Sequence, residues 1–517
     1  METPHNHTTP TSGGDSDTPA DSTTTGTSLG ALSRRLALDT SRYLPASVIP
    51  ALLSVVGVSV FTRIFGSGPY GQYALVVATA MFVSVFLSGW LRQSIMRYLP
   101  RVDGRVEFDA FVDRLSAALL ALSLASLVLF LAAGWFIDRH WPDYRQFVLP
   151  TIGLVLTEMA FLTYGAVLQA SLRSRAFATY KIVWTTLRLA LALAFVLWVD
   201  RHPAGIITGA FVANALVVVP MAGQLGVWRR FASVLRSFDG RFVRILANYG
   251  LPMVGWMVGG QILALSDRFV LSAFRGSGEV GIYSANYGLV SMGFGLITGP
   301  VLTACYPLIM KAWEKGDRER VPALITQFSR YYVLAVIPII TLIGVYSRDI
   351  VAIVLGAEFR EGYTIIPLVL GGLAVWWLAM IGHKGLEITE RTRTMLVLVL
   401  ICAAANIALN LVFVPRYGYT AAAATTAISY ALYPLLVYFV ARPTLPWGIP
   451  WATVARSLLA GGVMGVWLAF SRRLLPGNLY DIAVMALAGL VGLGIYFLIL
   501  RVLREFHPEE LAVLRRR

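Results

Sequence analysis

An apolar run of about 18 residues or more is long enough to cross a bilayer as a helix. This chain has fourteen such runs, near 44–62, 73–90, 115–137, 146–170, 180–199, 204–227, 246–265, 281–308, 328–347, 364–382, 395–415, 420–441, 452–471 and 480–500. Backbone in lipid must satisfy its own hydrogen bonds, so the runs are read as helices and not as strands. Charged residues make up only 14% of the chain, against about 25% in soluble domains. The predicted fold class is an all-α polytopic membrane protein with about fourteen transmembrane helices. The patches Phe269–Phe274 and Ile350–Leu355 are too short to span and are read as surface or re-entrant segments.

Two patterns occur once in each half. Gly66-Ser67-Gly68-Pro69-Tyr70-Gly71-Gln72-Tyr73 returns as Gly276-Ser277-Gly278-Glu279-Val280-Gly281-Ile282-Tyr283. The stretch Arg188–Val196 aligns in the same order with Asn406–Val414. The halves therefore read as diverged copies: two pseudo-symmetric six-helix lobes plus two unpaired C-terminal helices. The expected boundaries are 1–40 for a cytoplasmic tail, 41–230 and 231–445 for the lobes, 446–503 for the extra helices and 504–517 for a basic tail. Paired halves of membrane helices are typical of transporters, with the substrate path between them.

The net charge of +15 lies in the connecting segments. With the N-terminus placed in the cytoplasm, the inside segments hold nearly three times as many Lys and Arg as the outside ones. The positive-inside rule then puts both termini of this multi-pass protein in the cytoplasm, and the expected location is the plasma (inner) membrane. The cationic loops face anionic lipid headgroups, and nucleic acid is not expected as a partner. Residues 1–30 are rich in Thr, Ser, Gly and Asp, which reads as a disordered tail and not as a signal peptide. Cys305 and Cys402 both fall inside runs, so free thiols are expected.

Several chemistries find no support. The connecting segments fall short of the ~50 residues that a small catalytic domain needs. No Walker loop occurs. The His and Cys residues have no metal-ligand spacing, and no cofactor is expected. The Gly-Ser-Gly-x-x-Gly copies precede membrane helices and follow no βαβ pattern, so they are read as tight turns. The chain is therefore expected not to be an enzyme.

Three windows carry a family resemblance. They are Leu265-Ser266-Asp267-Arg268-Phe269-Val270-Leu271 running on to Gly281–Tyr287, Pro415-Arg416-Tyr417-Gly418-Tyr419 running on to Thr425, and Arg63 followed by Gly68–Tyr73. In order and spacing they resemble the Wzx-type polysaccharide flippases. These belong to the MATE-like superfamily of multidrug, oligosaccharidyl-lipid and polysaccharide exporters, which includes the lipid II flippase. The resemblance covers residues 40 to about 440. It implies two six-helix lobes that rock around a central cavity. It also implies a substrate, an oligosaccharide on a polyprenyl pyrophosphate, moved from the inner to the outer leaflet for cell-surface polysaccharide or lipopolysaccharide biosynthesis. Polysaccharide polymerase and glycosyltransferases would be its partners.

Arg188 and Glu158 each lie near the middle of a run. A charge at the bilayer centre costs about 2.5–3.5 kcal/mol on insertion scales, which a functional role would justify. The helical face around Arg188 also carries Lys181, and the aligned face in the second half carries Asn406 and Asn410. These residues are candidates for substrate binding; a Glu158–Arg188 pair that only ties two helices together is the competing reading. Arg63, Asp267 and Arg268 stand at matching ends of the first and seventh runs. They would meet the departing pyrophosphate, which suits the planar fork of arginine, or anchor their helices at the interface. Arg92 and Arg97 would attract the headgroup on the inner side, or are ordinary loop cations. Pro252, Pro300 and Pro338 are bends, either hinges or static kinks.

The competing function is a cation-coupled multidrug exporter of the same fold. Glu158 is the only acidic residue central to any run, and a cavity of net positive tendency favours an anionic substrate. A membrane-embedded sugar polymerase or ligase would need a large external loop.

Overall fold

Among the described residues, each predicted apolar run is mostly helical. The computed structural model describes residues 45–443, 448–474 and 481–506; the expected tail 1–40 and all but the start of 504–517 lie outside them. Every regular element among the described residues is helical. The first half contains α1 (Pro45–Ile64), α2 (Ser67–Tyr98), α3 (Arg105–His140), α4 (Arg145–Ala170), α5 (Ser174–Ala194, continued by a π turn over Phe195–Val199) and α6 (Ala204–Gln224). A short α7 (Phe231–Arg236) leads to α8 (Gly240–Arg275), α9 (Ser277–Glu314) and α10 (Arg320–Val345). The chain ends with α11 (Ser347–Val354), a 3-10 segment (Ala357–Ile365), α12 (Ile366–Gly382), α13 (Lys384–Ile388), α14 (Thr392–Ala441), α15 (Trp451–Ser471) and α16 (Asp481–Val502).

Ten helical stretches among the described residues are long and apolar enough to cross a membrane. The helices α1, α8 and α9 are not among these ten, although they cover the first, seventh and eighth apolar runs. Helix α14 covers two runs and is broken at Gly418, whose φ of 59° and ψ of −143° are not helical. Pro415 just upstream withholds a backbone donor. The N–H of Tyr419 after the break is satisfied instead by Glu279 Oε2 at 2.9 Å. A Cβ at Gly418 would stand 2.2 Å from that same oxygen, so glycine is required there both by backbone angle and by space. Pro252 and Pro338 lie inside α8 and α10; the side chain of Pro300 is outside the described residues.

Side chains divide the helices among three cores. The first is built from α2 to α6 around Leu91, Val112, Met159 and Met221. The second is built from α8 to α14 and also takes in Phe61 of α1, Phe65 of the turn after it, Tyr70 of α2, Ala192 of α5 and Ile206 of α6. The third joins α15 and α16 to α10 around Met464, Leu468 and Tyr496. Large apolar residues such as Leu129, Trp135, Val412, Leu487 and Leu498 stay exposed on the long helices, as lipid-facing residues must.

The first core meets the second along α2, which packs on both α8 and α9. At one end of α2 the two copies of the glycine repeat lie against each other. A Cβ at Gly71 would fall 1.8 Å from the Ser277 carbonyl oxygen, and one at Gly281 2.0 Å from the Ser67 carbonyl oxygen. The sequence predicts a pair of tight turns for the repeat. Gly276, with φ +82°, does make the turn from α8 to α9, but Gly71 and Gly281 have a different task, the close approach of two backbones. At the other end of α2, Ser94 Oγ donates to Leu246 O at 2.7 Å. A Cβ at Gly250 would lie 2.2 Å from Trp90 O.

Candidate functional site

The polar groups of α4, α5 and α6 converge on one carboxylate. Glu158 Oε2 accepts from Asn214 Nδ2 at 2.7 Å and faces Arg188 Nη1 at 3.7 Å. The Oδ1 atom of the same Asn214 accepts from Trp184 Nε1 at 2.5 Å. Trp184 lies nearly parallel to Phe161, with ring centres 4.7 Å apart and planes at 13°. The guanidinium carbon of Arg188 stands 4.8 Å from the Trp184 ring. Arg188 is thereby held by charge, by cation–π attraction and by its place on the helix. Its distance to Glu158 makes this a loose pair, and its side chain remains 29% exposed, so it retains donors for another partner.

Two cavities share Trp184 as a wall. One, of about 280 Å³, is lined by Ser54, Tyr70, Tyr73, Trp184, Thr185 and Arg188, and Met292 of α9 reaches it from the second half. The other, of about 190 Å³, is lined by Arg92, Glu158, Gln169, Lys181, Phe161 and Trp184. The structure therefore brings together Arg188, Glu158, Lys181 and Arg92. Arg92 and Lys181 come from α2 and α5 and face one pocket. Its single carboxylate, Glu158, is already engaged by Asn214 and Arg188. Cations gathered without matching acid make a site suited to an anion.

The other predicted residues stand elsewhere. Asp267 and Arg268 were expected at a helix end, but α8 runs on to Arg275 and both are buried inside it. Asp267 accepts from Arg268 N at 2.8 Å, from Thr426 Oγ1 at 3.3 Å and from Tyr283 Oη. Arg268 packs on the rings of Tyr283 and Tyr287. Asn406 and Asn410 are fully buried in the same network. Asn406 Oδ1 accepts from Ser266 Oγ at 2.8 Å and from Asn410 Nδ2 at 2.9 Å. Thr425 Oγ1 donates to Asn410. None of these four residues lines either cavity. Arg97 stacks on Tyr249, 4.3 Å from its ring centre. Arg63 donates to Ile353 O at 2.5 Å and to Ser59 Oγ.

Two sets of residues escaped the sequence reading. Asn214 is one, a buried amide in an otherwise apolar run. The other is a cluster at the α12–α13 junction, where His383 Nε2 lies 3.5 Å from Glu387 Oε2 and Nδ1 lies 3.3 Å from Tyr433 Oη. Tyr433 Oη also accepts from Trp256 Nε1 at 3.1 Å, and Lys384 pairs with Glu387. The signal available was a His-Lys pair with Glu four residues after the His, the spacing of one helical turn.

Comparison with known proteins gives a consistent result. The family described as "Polysaccharide biosynthesis protein" matches residues 38–313, more than half of the chain. The probable low-salt glycan biosynthesis flippase Agl15 of Haloferax volcanii is 22% identical over 440 residues, covering 83% of this chain and 89% of that protein. The probable flippase AglR of the same organism is 22% identical over 484 residues, covering 90% and 95%. Among solved structures, the lipid II flippase MurJ in an inward closed conformation superposes with a TM-score of 0.70 at 15% identity, covering 89% of this chain and 98% of its own. An inward-facing multidrug resistance MATE family transporter superposes with a TM-score of 0.60 at 12% identity, covering 78% and 94%. The fold is thus that of MurJ and the MATE transporters. The named relatives and neighbours are flippases and transporters, not enzymes.

Proposed function

The chain belongs to the polysaccharide biosynthesis protein family, and from that premise we propose that it flips an oligosaccharide carried on a polyprenyl pyrophosphate from the inner to the outer leaflet. The observation that carries this reading is the set of three cations, Arg92, Lys181 and Arg188, around two cavities that share one wall. A pyrophosphate diester carries two negative charges at neutral pH. Arg92 and Lys181 would meet it on one side of Trp184, and Arg188 would take it on the other. Glu158 and Asn214 hold Arg188 in place without neutralising it fully. The aromatic walls Phe161, Trp184, Tyr70 and Tyr73 offer faces for sugar or prenyl carbons.

We read the fourteen apolar runs as fourteen crossings. Helices α1–α6 and α8–α14 form two lobes, with α15 and α16 appended, and the boundaries follow those drawn from the sequence. The α1–α2 turn lies outside and the α2–α3 turn inside, so both termini are cytoplasmic in the inner membrane. The lobes rock to expose the cavities alternately. Asp267, Arg268, Asn406 and Asn410 keep the second lobe rigid, since each is buried and hydrogen-bonded to its neighbours. A cation-coupled drug exporter fits less well, because the only carboxylate in the cavities is committed to Arg188 and Asn214. A polymerase and glycosyltransferases would supply and consume the substrate.

The test is translocation. Purified protein in vesicles is given a fluorescent polyprenyl-pyrophosphate glycan on one leaflet, and an added impermeant quencher reports its movement. Flipping of the pyrophosphate lipid but not of the matching neutral glycolipid supports the reading. Equal transport of a cationic drug by the same vesicles overturns it.

A further inference from the structure

One segment in the second half grips the α1–α2 turn from both sides. It comprises α11 and the 3-10 segment Ala357–Ile365, nearly three hundred residues along the chain. On the α1 side, Arg63 Nη2 donates to Ile353 O at 2.5 Å, and the Gly356 N–H donates to Thr62 Oγ1 at 3.2 Å. Gly356 fits only because it lacks a side chain, since a Cβ there would stand 2.0 Å from Thr62 O. On the α2 side, the Ser67 N–H donates to Glu358 Oε2 at 2.7 Å. This places a carboxylate at the first amide of α2, where the helix dipole favours negative charge. Between these contacts the ring of Phe359, fully buried, meets Tyr70 edge-on at 5.3 Å. Tyr70 lines the Arg188 cavity.

We propose that this strap is the latch that closes the outer end of the substrate cavity. Tyr70 is the side chain between the cavity and the strap, and Phe359 holds it there. Opening the cavity at this end requires α1 and α2 to leave the strap, which breaks all three hydrogen bonds and the ring contact together. The character of the contacts suits a latch that reopens. Arg63 and Glu358 are exposed, so water replaces their bonds on release at little cost. Thr62, Gly356 and Phe359 are buried and fix the position to which the strap returns. Glu358 and Thr62 are therefore positioning residues for the transport cycle, which this inference takes from the proposed function.

The experiment reads the gate without any substrate. The two buried cysteines are replaced by alanine, Ser54→Cys is introduced in the cavity wall, and its labelling by an impermeant maleimide is followed from the outside. Glu358→Gln and Thr62→Val are each expected to speed labelling roughly two- to fivefold, the size that follows from removing one exposed charge–dipole contact or one hydrogen bond. Glu358→Asp is expected to stay near the parent rate, because it keeps the carboxylate. The pair Gly68→Cys and Ser277→Cys supplies a lock, since a Cβ at Gly68 would lie 3.7 Å from Ser277 Oγ. Oxidation should suppress labelling of Ser54→Cys and reduction should restore it. Unchanged labelling in Glu358→Gln, in Thr62→Val and in the two combined overturns the latch. Altered labelling in vesicles that flip no pyrophosphate lipid keeps the latch and counts against the flippase instead.

Discussion

Asn214 donates to the same oxygen of Glu158 that Arg188 faces, at 2.7 Å against 3.7 Å. The neutral amide is thus the nearer partner, and the arginine is left only loosely paired. This separates the two readings of Arg188. If the residue serves the substrate, Arg188→Ala abolishes flipping at near-normal yield, and Arg188→Lys keeps part of the activity because it loses the fork. A double-mutant cycle of Glu158→Gln and Arg188→Gln, scored for yield and for flipping, decides between them. A well-folded double mutant without transport is expected. Full transport in that mutant would assign the pair to scaffolding alone.

Asn214→Leu should cost about 1–3 kcal/mol of stability, the desolvation penalty of a buried polar group left unpaired, here Trp184 Nε1 and part of Glu158. Thermal unfolding in detergent measures this. Asn214→Asp should be worse still, because it sets a second carboxylate against Glu158.

Arg92 and Lys181 should act on capture and not on the later step. Each changed to Gln should weaken apparent affinity for the pyrophosphate lipid about tenfold, the effect of roughly 1.4 kcal/mol, with a smaller change in maximal rate. The residual activity should lose part of its salt sensitivity. A fall in maximal rate at unchanged affinity would remove both from the capture site.

Gly281→Ala and Gly278→Ala make a matched pair. The first sets a Cβ 2.0 Å from the Ser67 carbonyl oxygen, whereas the second meets only Ser67 Oγ at 3.7 Å. Overpacking costs typically 1–3 kcal/mol, so Gly281→Ala should lower the unfolding temperature and Gly278→Ala should leave it almost unchanged. Equal effects would show that the two helices are free to separate at this point.

Glu505 gives a pH dependence outside the spanning helices. It is buried, which raises its proton affinity. That is outweighed by hydrogen bonds from Thr453 at 2.6 Å, Arg330 at 2.9 Å and Arg456 at 2.8 Å, so its carboxyl titrates below the ordinary glutamate range. A lowered folded value means stability that is present above the unfolded value of about 4.3 and lost as pH falls through the folded one. The unfolding temperature should therefore fall on acidification from about pH 5 to pH 3. Glu505→Gln should start lower at neutral pH and respond less. An unchanged slope in that variant would assign the acid sensitivity to other groups.

The sequence made the helices legible because lipid leaves an apolar run no alternative. The break within α14 was legible too, since Pro415 closes one run and Gly418 separates it from the next. The gathering of Arg188, Glu158, Lys181 and Arg92 was less so. Helical spacing set Lys181 and Arg188 on one face, and the depth of Glu158 on the preceding helix allowed a pair with Arg188, but nothing in the sequence showed that Arg92 would approach them from α2. Asn214 stayed hidden because a lone amide in an apolar run has the same appearance whether it faces a carboxylate or a backbone carbonyl. Asp267 and Arg268 misled for a related reason. Charge ended the apolar run, but the helix continued, and Tyr283 and Thr426 bonded Asp267 from other helices. The strap was visible only as the short patch Ile350–Leu355, whose partner lies in the other half.

The reciprocal contact of Gly71 and Gly281 has the form of an isologous dimer interface, in which patch i meets j and j meets i. A half-length chain bearing one copy of the motif would pair with a second copy of itself through the same glycine and the same serine carbonyl. Fusing two such chains leaves each side of the joint free to diverge, because a substitution in one copy no longer appears twice. In this chain the cations Arg92, Lys181 and Arg188 line cavities in the first half, while in the second Asn406 and Asn410 are bonded to one another and, like Asp267, to neighbouring hydroxyls.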